Sequence, residues 1–267
     1  MKPEYTKQEL FMRRHKSHHR LVKVGRLLLL VLFLILWEVS ARTGAIDVFF
    51  FSSPTRILAL FLTMCENGSL FGHIGITLFE TLVSFVLVFV FSLGVAILLW
   101  YFESFSEIAE PYLVVLNSLP KSALAPLFIV WLGTGTKTII VAGISVAVFG
   151  SCISFYTAFR QCDPEKIVLI RTLGGTRRDI FQKLVFPSAV PMLLSTMKVN
   201  IGLALVGVII GEFLAARRGL GYLIIYGSQV FQLNLVILNI ILLCLIAMGF
   251  YKMIQLLEHA IRKRMHL

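Results

Sequence analysis

Charged residues and cysteines are scarce in this sequence, and each shortage excludes a class of protein. Asp, Glu, Lys and Arg account for 15% of the 267 residues, whereas hydrophobic residues account for 58%. An ordinary soluble domain is about one quarter charged, and one compact core of this length could not bury so much apolar surface. Lipid must therefore solvate part of the chain, which argues against a soluble enzyme.

The cysteines and histidines give no metal-site pattern. The cysteines are Cys65, Cys152, Cys162 and Cys244. None has the spacing of a metal ligand pair, and isolated cysteines in apolar runs behave as small hydrophobic residues. A histidine cluster near the N-terminus lies among basic residues and lacks a metal-ligand context. We therefore expect this chain to bind no metal.

Six apolar stretches are long enough to span a bilayer, which needs roughly 20 residues per helix. The predicted fold class is an all-α membrane protein with one transmembrane domain at 25–258, preceded by a basic tail at 1–24 and followed by a basic end at 259–267. A secretory signal peptide is the weaker alternative, because the basic region is long and Glu38 stands where a cleavage site should be neutral. Glu38 and Arg42 can instead pair at i,i+4 spacing. The predicted spans lie near 25–44, 77–101, 112–132, 137–158, 188–211 and 235–254.

The net charge of +11 is unevenly distributed. Lys and Arg concentrate in the N-terminal tail, in the 159–187 segment and at the C-terminal end. Positive residues resist translocation, so six spans place these segments and both termini in the cytoplasm. The segment 103–110 is an exception, because it carries three glutamates and no basic residue on the same side. Basic residues beside spans suit anionic lipid better than nucleic acid.

The segment 163–187 is predicted to form two short helices. Asp163 can cap the first helix, which Pro164 begins, and Gly174 with Gly175 can end it. Thr176 can cap the second helix, and Pro187 is expected to end it. Such a hairpin can dock in a groove of a soluble partner or lie on the membrane surface, and the residues alone leave both interpretations open.

An apolar stripe at helical spacing runs along the first of these two helices. Its members are Ile167, Ile170 and Leu173, and the opposite face carries Lys166 and Arg171. This pattern is typical of an amphipathic helix that packs through one face.

The same segment resembles the EAA loop of bacterial ABC importer permeases. Gly174 matches the glycine of that loop, and Leu184, Phe186 and Pro187 match its Ile-x-Leu-Pro end. The Glu-Ala-Ala positions fall on 168–170, a run that begins with Val168 and lacks the hallmark Glu. Glu165 is the candidate substitute. The resemblance implies that these residues couple the permease to an ATPase.

Two further motifs extend the resemblance to roughly residues 50–255. The run from Leu116 to Gly133 is similar to the third span of the nitrate, sulfonate, taurine and thiamine-precursor branch, and 212–222 is similar to that branch's segment after span five. The resemblance implies a type I importer fold, a permease dimer, two cytoplasmic ATPase subunits and an extracytoplasmic solute-binding protein. It also implies a bacterial cytoplasmic membrane location and a solute such as a nitrate-, sulfonate- or taurine-like anion or a thiamine-precursor pyrimidine.

Asn117 and Lys121 are candidate path residues in the third span. Pro120 and Pro126 in the same span free backbone carbonyls, which must find partners in the protein or in a water-filled cavity. A broken helix beside a path is therefore plausible. Lys121 would suit an anionic solute, but it can also reach lipid phosphates near the membrane surface.

Lys198 and Glu212 are the other candidate path residues. Lys198 lies deep in the fifth span, and a structural pair with Glu80 or Glu212 is the alternative to solute binding. Glu212 lies near the outer end of the same span. It can contact the solute-binding protein, or pair locally with the arginines at 217–218.

No catalytic residue is expected in this chain. It lacks a Gly-rich phosphate loop ending in Lys and Ser or Thr, so ATP and Mg²⁺ are expected on the partner ATPase. A self-contained secondary transporter or channel is the alternative function, but it would need ion-coupling carboxylates at membrane depth. A membrane anchor would leave Lys198 and the proline-broken span without a role.

Overall fold

A computed structural model describes the backbone of residues 7–265 and the side chains of residues 21, 22 and 24–263. Every regular element in this range is helical. The helices are α1 Lys7–Arg42, α2 Val48–Phe51, α3 Pro54–Glu66, α4 Ser69–Tyr101, α5 Glu103–Ser118, α6 Lys121–Leu132, α7 Thr136–Arg160, α8 Pro164–Thr172, α9 Arg177–Ile180, α10 Phe186–Ala215, α11 Leu220–Gln229 and α12 Leu233–Met265. A π-helical turn, Phe181–Val185, joins α9 to α10.

The chain divides after Thr63 into two compact units. In the first unit, Glu38 on α1 accepts a hydrogen bond from Arg42 Nε at 2.7 Å, which is the predicted i,i+4 pair. The same carboxylate accepts bonds from the backbone N–H and the hydroxyl of Thr55, at 3.2 and 3.0 Å. Glu38 is therefore satisfied inside its own unit.

Five helices in the described residues are long and apolar enough to span a membrane, and a sixth span exists if one bent pair is counted. That pair is α5 and α6, which meet at 94° around Leu119 and Pro120. The predicted third span, 112–132, is therefore not one straight helix. Pro120 has no N–H to continue the α5 hydrogen bonds, and it restricts Leu119 to the extended conformation that ends the helix.

Helix α7 is the centre of the second unit, where it packs between α4 and α10. Small residues allow this close approach, which is typical of membrane helices. A Cβ on Gly207 of α10 would lie 2.8 Å from the Ala142 carbonyl oxygen of α7. On the other side, the hydroxyls of Ser84 and Ser92 on α4 donate to α7 carbonyls at 3.2 and 3.1 Å. The three helices thus form the core that supports both ends of the molecule.

Candidate functional site

The segment 163–187, called the hairpin below, folds through local caps as its sequence predicts. The Glu165 N–H donates to Asp163 Oδ1 at 3.0 Å, so Asp163 caps α8. Gly174 follows α8 with φ +80°, a conformation that favours glycine. Thr176 and Asp179 then form a capping box on α9.

The hairpin does not end at Pro187, contrary to the sequence-based expectation. Helix continues from Arg177 through the π-helical turn into α10, as far as Ala215. The Phe186 N–H donates to Phe181 O, five residues back, so the turn is wider than an α-turn. A wide turn before Pro187 relieves the clash between a proline ring and the carbonyl four residues earlier. The hairpin is therefore joined without a break to a membrane helix.

Helix α8 has one apolar face packed inward and another face exposed. Ile167 and Ile170 pack against the buried cluster at the ends of α4, α7 and α10. Leu173 does not continue this stripe as expected, because the chain turns away at Gly174. Leu173 is 77% exposed, and it lies with Val168 and Leu169, which are 60% and 58% exposed. These three residues form the exposed α8 face.

The remaining coupling candidates lie on either side of that face. The side chain of Glu165 is exposed at the start of α8. Leu184 packs on the buried cluster, and the rings of Phe186 and Phe181 lie 6.0 Å apart. The candidates therefore do not form a single contact surface. Glu165 and Val168 face solvent, and Leu184 packs on the core. Phe186 is 37% exposed and lies against Phe181 within the hairpin.

The acidic segment 103–110 faces basic residues of the hairpin region. Glu103, Glu107 and Glu110 line one cavity of about 260 Å³ with three arginines. The arginines are Arg160, Arg171 and Arg177. The exception in the charge distribution thus has a structural counterpart, since opposite charges face one another at this end of the molecule.

The break between α5 and α6 holds the first two path candidates. The Lys121 ammonium donates to the carbonyl of Leu116, which the break leaves without a helical partner. The same ammonium lies 5.0 Å from the centre of the Phe149 ring. Asn117 is exposed, and its side chain lies against Gly150 of α7. Lys121 is therefore engaged within the chain, and Asn117 remains accessible.

Lys198 pairs with neither Glu80 nor Glu212. It forms an ion pair with Glu258 of α12, and Glu258 also accepts from Arg262 at 3.0 Å. Glu258 lies sixty residues farther along the chain, on α12. The sequence alone did not predict which face of α12 would point toward Lys198. The pair joins α10 to α12 within the chain.

Glu212 is buried at the end of the second unit opposite the hairpin, in a polar cluster that we call the clamp. Its carboxylate accepts from Thr77 Oγ1 of α4 at 2.7 Å and from the Gly221 N–H at 2.6 Å. The Leu220 N–H donates to Thr77 Oγ1 at 2.9 Å, and the Gly219 N–H donates to Nδ1 of His73, also on α4, at 3.1 Å. The carboxylate thus lies at the N-terminus of α11, where free N–H groups and the helix dipole favour negative charge.

These contacts replace the expected ion pair between Glu212 and the arginines at 217–218. Gly219 has φ +120°, and a Cβ there would overlap the Glu212 carboxylate. The turn between α10 and α11 is therefore fixed to α4 by Glu212, Thr77 and His73.

Glu80 lies one turn further along α4, and the sequence suggested it only as a partner for Lys198. It is 1% exposed, and neither carboxyl oxygen has a hydrogen-bond partner among the described residues. The side chains beside it include Thr136 and Glu212. It also lines a cavity of about 450 Å³, together with Arg217 and Arg218. Its burial without a partner distinguishes it from Glu212.

Sequence reasoning missed the α4 side of the clamp, although a signal was present. His73, Thr77 and Glu80 recur at spacings of four and three residues in an otherwise apolar helix. This spacing places them on one face, and polar residues on one face of a membrane helix point into the protein. The signal indicates a buried polar contact, but it does not name the partner.

Comparison with known proteins identifies the family. The model of the family "Binding-protein-dependent transport system inner membrane component" matches residues 89–263. The chain belongs to this family. A probable ABC transporter permease protein of Haemophilus influenzae is 28% identical over 87% of this chain and 94% of its own length. A putative aliphatic sulfonates transport permease protein of Bacillus subtilis is 26% identical over 89% of this chain and 86% of its own length.

Solved structures of ABC transporters share the fold of this permease. An inward-facing methionine ABC transporter matches with a TM-score of 0.61 at 19% identity, covering 75% of this chain and 97% of the other. An amino acid ABC transporter solved with histidines matches with the same TM-score at 17% identity, covering 75% and 98%. The chain therefore has the all-helical fold of an ABC importer membrane domain, and it is a permease subunit embedded in the membrane.

Proposed function

We propose that two copies of this permease form the path of a small solute across a bacterial cytoplasmic membrane, driven by two cytoplasmic ATPase subunits that bind the hairpins. The observation that carries this proposal is the exposed α8 face of Val168, Leu169 and Leu173. An apolar patch on a helix that is fixed to the core is suited to a groove in a partner. The hairpin is continuous with α10, so movement of the partner would reach a membrane helix directly.

The predicted orientation places this face on the same side as the ATPase. The basic 159–187 segment is expected in the cytoplasm, together with both termini. ATP and Mg²⁺ would be bound by the ATPase subunits, and an extracytoplasmic solute-binding protein would deliver the solute at the clamp end. Family membership supports this arrangement over a self-contained secondary transporter or channel.

The names of two relatives, an aliphatic sulfonates and a formylaminopyrimidine transport permease, support part of the proposed range of solutes. A relative from Halalkalibacterium halodurans, 27% identical over 73% of this chain and 77% of its own length, is a formylaminopyrimidine transport permease protein. We propose a sulfonate- or taurine-like anion, nitrate, or a thiamine-precursor pyrimidine. Lys121 and Lys198, which favoured an anion, contact partners within the chain, so they lend less support to an anion than the sequence suggested.

The first experiment is affinity purification of the tagged permease from native membranes in mild detergent, with mass spectrometry of the bound proteins. An ATPase subunit is expected to co-purify. Leu169→Glu should remove it, because a charge in an apolar groove is costly. The matched control is Gln182→Glu, which adds the same charge at an exposed position of the hairpin. Loss of the ATPase from both variants, or from neither, would contradict docking through the exposed α8 face.

A further inference from the structure

Arg177 and Phe181 of the hairpin contact the last turn of α4, and we call this contact the joint. Arg177 Nη2 donates to the Trp100 carbonyl oxygen at 3.2 Å. The guanidinium also lies 5.5 and 5.9 Å from the ring centres of Trp100 and Tyr101. A planar cation beside a helix C-terminus gains from the exposed carbonyl, from the helix dipole and from the aromatic rings together.

Phe181 extends the joint into the buried core. Its ring centre lies 5.0 Å from that of Trp100 and 5.5 Å from that of Tyr101. It also lies edge-on to Phe159 of α7 at 5.3 Å. Aromatic rings packed at these distances attract one another beyond the effect of the apolar area that they bury. The hairpin is therefore attached to α4 as well as to its own helix α10.

The other end of α4 carries the clamp. Thr77 and His73 lie on the same uninterrupted helix as Trp100, and no proline occurs within it. Twenty-three residues separate Thr77 from Trp100, roughly 35 Å at the helical rise. Sharp kinks in helices arise mainly at proline, at glycine and serine pairs or at π-bulges. Gly94 is the one glycine between Thr77 and Trp100, and α4 is a single α-helix over this stretch, so it can carry a displacement from one end to the other.

We propose that Arg177 is a positioning residue that makes α4 the connection between the hairpin and the clamp. Partner-driven movement of the hairpin would pull on α4 through the joint. It would then reach the turn between α10 and α11 through the bonds of Thr77 and His73. This inference rests on the proposed function, since it assumes an ATPase at the hairpin. It adds a second route beside the direct one along α10.

Arg178 provides a matched control for this role. It has the same charge, is exposed, and lies next to Arg177 on α9, but its side chain makes no hydrogen bond, ion pair or ring contact with the described residues. Arg177→Gln and Arg178→Gln therefore remove equal charge from the same helix. Only the first removes side-chain contacts of the joint, because Phe181 stays in place in both variants.

The test uses the complete transporter, with its ATPase and binding protein, in proteoliposomes. Uptake per ATP hydrolysed should fall about tenfold in Arg177→Gln, in the upper range of measured coupling effects, and remain near wild type in Arg178→Gln. Equal ratios in Arg177→Gln and Arg178→Gln would overturn the inference.

A second readout follows the clamp end directly. A cysteine introduced as Arg218→Cys, in a background without the native cysteines, is labelled with a membrane-impermeant maleimide before and after trapping the ATPase with vanadate. Trapping should change the labelling rate with Arg177 intact, and the change should be clearly smaller in Arg177→Gln, where only the direct route along α10 remains. A change of the same size in both proteins would overturn the inference. Failure of the otherwise wild-type transporter to take up any solute with ATP would instead count against the proposed function.

Discussion

The two ends of α4 contact segments that are held in different ways. At the clamp end, Glu212 and Thr77 are almost completely buried, and each hydrogen bond satisfies a backbone or side-chain group that has no access to solvent. At the hairpin end, α8 and α9 are held by their own caps, and an apolar face stays exposed. The two ends therefore differ in what they leave on the surface. The clamp buries its polar groups within the chain, whereas the hairpin leaves an apolar face exposed.

Substituting a glycine at the clamp should have the largest effect. Gly219→Val would place a branched side chain at φ +120° and against the Glu212 carboxylate. We expect the free energy of unfolding to fall by about 3 kcal/mol, from backbone strain and from displaced buried hydrogen bonds. Thermal unfolding of the purified permease in detergent measures this. A midpoint near that of the wild type would show that the turn at 219–221 is not tightly held.

Removing the clamp carboxylate should have the next largest effect. Glu212→Gln keeps the shape, but its amide offers one acceptor oxygen where Thr77 and Gly221 each need one. One buried donor would then face an NH₂ group, and we expect a loss of about 2 kcal/mol in the free energy of unfolding. The same thermal assay applies. If the variant unfolds at the wild-type temperature, the clamp contributes little to the fold.

Gly174→Val in the hairpin should affect stability less than Gly219→Val and should mainly affect transport. Gly174 has φ +80°, but a Cβ there would meet nothing within 4 Å. Strain alone should cost about 1 kcal/mol, so the permease should still fold. The altered turn should lower solute uptake relative to ATP hydrolysis, because the exposed α8 face would be misaligned with the ATPase. Both rates are measured in proteoliposomes, and normal uptake per ATP would contradict a docking role for the hairpin.

The sequence predicted the contacts between residues close together in the chain and missed those between distant residues. The caps at Asp163 and Thr176 were predictable, because each bonds to a residue two or three positions away. The exposure of Leu173 and the continuity through Pro187 were not, because both depend on where the chain goes after a turn.

Contacts distant in sequence were the least predictable. Glu212 bonds to Thr77, which lies 135 positions away in the sequence. Lys198 on α10 pairs with Glu258 on α12. Six apolar stretches and a proline-broken third span could be inferred from composition and residue type. The rotation of each helix about its axis, which decides the polar partners, could not.

The smallest effect is expected at Glu80. Comparing it with Glu212 distinguishes the effect of burying a carboxyl group from the effect of its hydrogen bonds. Glu80 is as buried as Glu212 and lies beside it, but its carboxyl oxygens have no hydrogen-bond partner among the described residues. Glu80→Gln therefore breaks no observed bond, and it replaces an acidic group near the Glu212 carboxylate with a neutral N–H donor. We expect the free energy of unfolding to stay the same or to rise by about 1 kcal/mol. A loss as large as that of Glu212→Gln would show that Glu80 is an equal member of the clamp.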